Sequence, residues 1–196
     1  DLSISGRIDK NRRRIISGID IPIGTVPIYQ AQIEAAKRYG AGVKMTIDDI
    51  FDVIERHAKD GVDYMTLHCG VTPEGIEKAR KRKMPFVSRG GAIIAGWMLH
   101  NNKENPLSAH YEGILELARK YDFTISLGDG LRPGCIADAT DEAQICELKT
   151  IGKLARQAYE AGVQVMIEGP GHIPLDQIQK NVELKTYNDT FQDVQT

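Results

Sequence analysis

Val163-Gln164-Val165-Met166-Ile167 runs straight into Glu168-Gly169-Pro170-Gly171-His172. A mostly apolar run closed by a carboxylate, glycines, a proline and an imidazole reads as a buried strand with polar groups at its C-terminal end. That end is where parallel α/β folds keep their chemistry, because the loops leaving each strand gather there. The same pattern recurs upstream. Tyr64-Met65-Thr66-Leu67 precedes His68-Cys69-Gly70, Pro85-Phe86-Val87 precedes Ser88-Arg89-Gly90-Gly91, and Phe123-Thr124-Ile125-Ser126-Leu127 precedes Gly128-Asp129-Gly130-Leu131-Arg132. Strand ends that repeatedly place charged or polar residues beside glycine point to one shared site.

Helical patterns fill the gaps. Residues 21–27 read as a first short strand, and residues 30–39 as a helix closed by Gly40. Thr46 caps a helix whose apolar positions Ile47, Ile50, Phe51, Ile54 and Ala58 follow helical spacing, with Gly61 ending it. Thr72-Pro73 opens another with proline in its first turn. Residues 91–101 and 107–121 give two helices separated at Asn105-Pro106, and residues 142–160 give a long one with Ile145, Leu148, Ile151, Ala155 and Ala158 on one face.

Five strands alternating with helices specify an α/β fold with a helix-covered parallel sheet. No GxGxxG turn or Walker loop is present, and polar residues close several strands rather than one switch point. The expectation is therefore a (β/α)8 TIM-type barrel, of which this chain supplies about five strand-helix units.

Composition narrows the partners. With 196 residues, 41% of them hydrophobic, the chain can build one substantial core. A net charge of −2, from 25 basic and 27 acidic residues, offers no general attraction to nucleic acid or to an anionic membrane. The basic cluster Lys78-Ala79-Arg80-Lys81-Arg82-Lys83 reads as a solvated helix C-terminus. The longest apolar stretch, residues 92–99, falls well short of the roughly 18 residues of a membrane span. Cys69, Cys135 and Cys146 are odd in number and widely spaced, which fits neither a disulfide framework nor a CxxC metal clip and suggests a reducing cytoplasm. No charged segment followed by an apolar one opens the chain, and its start at Asp1-Leu2-Ser3 fits removal of an upstream piece.

Arg89 and Arg132 stand in glycine-rich strand-to-helix loops, where a guanidinium fork and backbone N–H groups can hold a phosphate or carboxylate. Alternatively they pair with Asp129 or Glu168. Those two carboxylates either act as acceptors and bases or simply brace the strand ends. His68 ends a strand and can face a ligand. His57, on a helix, is expected at the surface, as are His100 and His110. His172 alone is a weak metal signal, because divalent ions need several ligands. Tyr29 either points into the mouth of the site or packs. The residues thus specify a polar strand-end site for a small anion, without naming a reaction.

The strings GTVPIYQA (24–31), DYMTLHCGVT (63–72), VSRGG (87–91), SLGDGLRPGCIADATDEAQ (126–144) and VQVMIEGPGHIP (163–174) together resemble the phosphomethylpyrimidine synthase family. The resemblance runs from residue 1 to about 182 and leaves residues 183–196 as a polar tail. It implies a cytoplasmic, homodimeric barrel lyase of thiamine biosynthesis that rearranges 5-aminoimidazole ribotide to 4-amino-5-hydroxymethyl-2-methylpyrimidine phosphate. It also implies S-adenosylmethionine, a [4Fe-4S] cluster and a divalent metal, zinc or iron. By motif, Tyr29, His68, Ser88, Arg89, Gly90, Asp129, Gly130, Leu131, Arg132 and Glu168 correspond to ribotide contacts, and His172 to a metal ligand. The family's cluster-binding CxxCxxxxC motif has no counterpart among the three cysteines. The isolated chain is therefore expected to be an inactive central portion of a synthase. Two further readings are the paralogous 5-hydroxybenzimidazole synthase and a catalytically dead ribotide-binding module.

Overall fold

The structure, a computed structural model, describes residues 1, 2, 4, 7–169 and 172–186. In chain order these form α1 (Ile8–Ile16), β1 (Gly24–Thr25), α2 (Pro27–Tyr39), α3 (Ile47–Lys59), β2 (Tyr64–Leu67) and α4 (Pro73–Ala79). Then come α5 (Arg89–Asn101), α6 (Pro106–Ala109), α7 (Tyr111–Tyr121), β3 (Thr124–Leu127), α8 (Glu142–Glu160), β4 (Val165–Ile167) and α9 (Ile178–Thr186). All strands run parallel, in the order β1-β2-β3-β4. Chain order and spatial order coincide, so the sheet has no point at which its winding reverses.

Alternation along the strands gives the sheet two unlike faces. Met65, Leu67, Ile125 and Leu127 are sealed in the core that the helices cover. Their neighbours Tyr64, Thr66, Thr124, Ser126 and Met166 lie on the other face, with Thr66, Ser126 and Met166 in register across β2, β3 and β4. Met166 is 44% exposed. The described helices pack on the face of Met65, Leu67, Ile125 and Leu127.

Local sequence places most helix ends. Thr46 and Asp49 form a reciprocal cap on α3, while Thr72, Ser88 and Asp141 each accept the amide three residues on to start α4, α5 and α8. Gly40, at φ 80°, takes the left-handed conformation that closes α2.

Four expectations are corrected. Residues 85–87 form no strand: β2 pairs directly with β3, and the preceding amides of Lys83 and Met84 donate instead to the Asp138 carboxylate, at 3.1 and 3.0 Å. The sheet thus has four strands among the described residues, not five. His57 is buried, with Nδ1 2.8 Å from Thr25 Oγ1 and Nε2 2.9 Å from the Gln30 side chain. The basic cluster is not wholly solvated, because Arg82 is buried and clasps both Asp141 oxygens, at 2.6 and 2.7 Å. Residues 107–121 make two helices, α6 and α7, separated at His110.

Candidate functional site

His68 leaves β2 and is buried at once. Its Nε2 lies 3.2 Å from Ser88 Oγ, which itself accepts the Gly91 N–H at 3.1 Å as the cap of α5. With an amide donating to Ser88, the hydroxyl proton is best directed at Nε2, which leaves the ring proton on Nδ1. Nδ1 is buried and without a partner among the described residues. Burial, reinforced by the Arg132 guanidinium, lowers the pKa of this imidazole to about 4, so it is neutral at pH 7.

Close backbone approach seats α5 here. A Cβ on Gly90 would stand 2.1 Å from His68 Cε1, and one on Gly91 would stand 2.1 Å from the Gly130 carbonyl oxygen. Any side chain at either position would drive the N-terminus of α5, with its positive dipole end, away from the strand ends.

Asp129, Arg132 and Glu168 make the charged part. Arg132 Nη1 donates to Asp129 Oδ1 at 2.9 Å. Glu168 Oε1 accepts from Thr66 Oγ1 at 3.2 Å and Ser126 Oγ at 3.3 Å, and its Oε2 accepts the Asp129 N–H at 3.3 Å. Burial pushes Asp129 up to about 6; the Arg132 cation opposes the shift and the Glu168 carboxyl adds to it. The two arginines therefore differ: Arg132 pairs with Asp129, whereas Arg89 is exposed, has no carboxylate partner among the described residues, and lies 5.2 Å over the Tyr29 ring.

The expected residues converge. Ser88 meets His68, Gly91 meets Gly130, Arg89 meets Tyr29, and Asp129 links Arg132 to Glu168. Leu131 differs in kind: its side chain is buried against Gly75. His172 follows at φ 61°, a left-handed conformation unusual for histidine. It donates Nδ1–H to the Pro133 carbonyl at 2.8 Å, beside Arg132. Pro170 and Gly171, in the same motif, lie outside the described residues. Sequence reading passed over Thr66, Ser126 and Glu147. The first two were signalled by hydroxyls interrupting apolar strands; Glu147 was hidden as one acidic residue on a long helix.

Fold and site define a parallel α/β protein with an arginine-bearing polar site at the C-terminal end of its sheet. Residues 1–190 match the radical SAM ThiC family, and the chain belongs to that family. It is 60% identical over 187 residues to a phosphomethylpyrimidine synthase of Moorella thermoacetica, covering 94% of this chain and 43% of that protein. Proteins of the same name from Caldanaerobacter subterraneus and a Thermoanaerobacter species are 56% and 55% identical, with the same coverage. The chain thus spans less than half the length of these curated relatives.

Proposed function

We propose that this chain supplies part of the (β/α)8 barrel of a phosphomethylpyrimidine synthase. The full-length protein then rearranges 5-aminoimidazole ribotide to the hydroxymethylpyrimidine phosphate of thiamine biosynthesis. The observation that carries this reading is convergence: five motifs scattered from Tyr29 to His172 close into one patch in a chain 60% identical to a protein of that name. The strand order supports a barrel. Parallel strands wound in one direction, with right-handed crossovers, keep all helices on one face and turn the other toward a lumen.

In this reading Arg89, Arg132 and the N-terminus of α5 hold the ribotide phosphate. Nδ1–H of His68 is the buried donor that a substrate atom would satisfy. Glu168, set by two hydroxyls and an amide, accepts from the substrate on the inner face. His172 fits one position of a divalent metal site, because its bond to Pro133 leaves the Nε2 lone pair for coordination. Such a metal would supply Lewis-acid polarisation of a bound substrate oxygen or nitrogen.

The residues present do not fit an iron-sulfur cluster. Cys69 is buried with its thiol pK pushed up by burial, Cys135 hydrogen-bonds Asp138, Cys146 contacts Thr72, and no metal-holding group of three ligands occurs among the described residues. S-adenosylmethionine and the cluster belong, in this proposal, to the full-length homodimer.

Calorimetry with the ribotide on the full-length protein tests the reading. Wild type is expected to bind and Arg132→Ala to bind at least about tenfold more weakly; no binding by wild type would sink it. After cluster reconstitution with S-adenosylmethionine and reductant, product mass separates pyrimidine phosphate from hydroxybenzimidazole. The isolated chain is expected to yield neither.

A further inference from the structure

Glu147, in the second turn of α8, is 2% exposed although it carries a carboxyl group. Its Oε2 accepts the Leu131 N–H at 2.7 Å, the shortest hydrogen bond made to the 129–132 loop. Oε1 has no hydrogen-bond partner among the described residues. The side chain is wedged between the two loops that build the site: a Cβ on Gly70, after β2, would stand 2.9 Å from its Cγ, and one on Gly130, after β3, would stand 3.2 Å from Oε1. A core helix has no packing reason to bury a carboxyl there, since leucine or methionine would fill the volume without the cost of desolvation.

We propose that Glu147 is a positioning residue for the phosphate site: by holding Leu131 N–H between the two loops, it sets where Asp129 and Arg132 stand. This rests on the ribotide reading above. The carboxyl does this as a neutral acid. Burial raises its pKa to about 8; the Leu131 amide opposes the rise, Asp129 adds to it, and the neighbouring Gly130 amide and the Arg82 cation oppose it further. Asp129 and Arg82 are the charged groups acting on it, and Cys69 next to Gly70 is a thiol that burial keeps neutral. Ionised Glu147 would place a second buried negative charge beside a site for an anion. Ribotide affinity should therefore fall as pH rises past about 8, beyond any change due to the ligand itself.

The test uses the full-length protein, with calorimetry against aminoimidazole ribotide from pH 6.5 to 9.5. Glu147→Ala, which leaves the Leu131 amide unpaired, is expected to weaken binding roughly tenfold or more at pH 7. Glu147→Gln, which keeps an acceptor but cannot ionise, should recover most of that loss and flatten the decline above pH 8. Hydrogen exchange at the Leu131 amide, read without ligand, should be faster in the alanine variant than in the glutamine variant. An alanine variant that binds like wild type, or identical pH profiles for wild type and Glu147→Gln, overturns the proposal. If wild type fails to bind ribotide, the ribotide reading falls, and equal Leu131 exchange in the two variants then removes the positioning role as well.

Discussion

Burial moves His57 and Asp129 in opposite directions, because it disfavours whichever form of a group is charged. His57 is pressed down to about 3, chiefly by burial and then by the Arg12 cation. A histidine depressed in the fold and ordinary when unfolded stabilises fully above about pH 6.5, and that stability drains as pH falls toward the folded value. By pH 5 the loss is about 2 kcal/mol. Thermal unfolding of the full-length protein should therefore show a declining melting temperature below pH 6.5, and His57→Gln should flatten that limb; an unchanged slope would contradict the assignment. Asp129 has the reverse sign. Its contribution is intact below about pH 4 and is lost as pH rises through about 6, since the unfolded chain releases the proton more readily. Asp129→Asn should raise the melting temperature at pH 7 but not at pH 4, while weakening ribotide binding because Arg132 loses its anchor. A stabilisation of equal size at both pH values would show that the charge is not the cause.

At the scale of elements, α5 depends on one hydroxyl. Ser88 Oγ caps the helix through Gly91 N–H and faces His68 Nε2, so Ser88→Ala removes a cap and strands a buried ring nitrogen. A loss of about 2 kcal/mol is expected by chemical denaturation, with Ser88→Thr losing less; equal losses for both would mean that packing, not the hydroxyl, matters. Such caps are why much of this fold was readable: Thr46, Thr72 and Asp141 announce their helices locally, and α8 begins and ends where its spacing requires. The strand-end glycines likewise marked where the loops approach closely, at Gly90, Gly91 and Gly130. What failed was non-local. Residues 85–87 look like a strand until β2 and β3 pair directly and Asp138, more than fifty residues away in the chain, takes the neighbouring amides. His57 and Arg82 look solvated until Thr25, Gln30 and Asp141 arrive from other elements. Glu147 has no local signature, because its role is defined by two loops that meet only in the folded chain.

For the whole molecule, the sheet edges decide behaviour. Among the described residues β1 pairs only with β2, and β4 only with β3. Met166 on β4 is exposed, as are Ile178 and Val182 of α9, at 40% and 37%. A strand edge left unpaired is a template for another chain. In proteins more than twice as long as this segment, such as the Moorella relative, further chain is available to cover both edges. Taken alone, the 196-residue chain should self-associate. Sedimentation velocity from about 1 to 100 µM should show species growing with concentration. Met166→Lys, which puts a charge on the exposed face of β4, should shift the distribution toward monomer. A chain that stays monomeric across that range would mean that its edges are already satisfied, and would remove the structural reason for placing it inside a larger barrel.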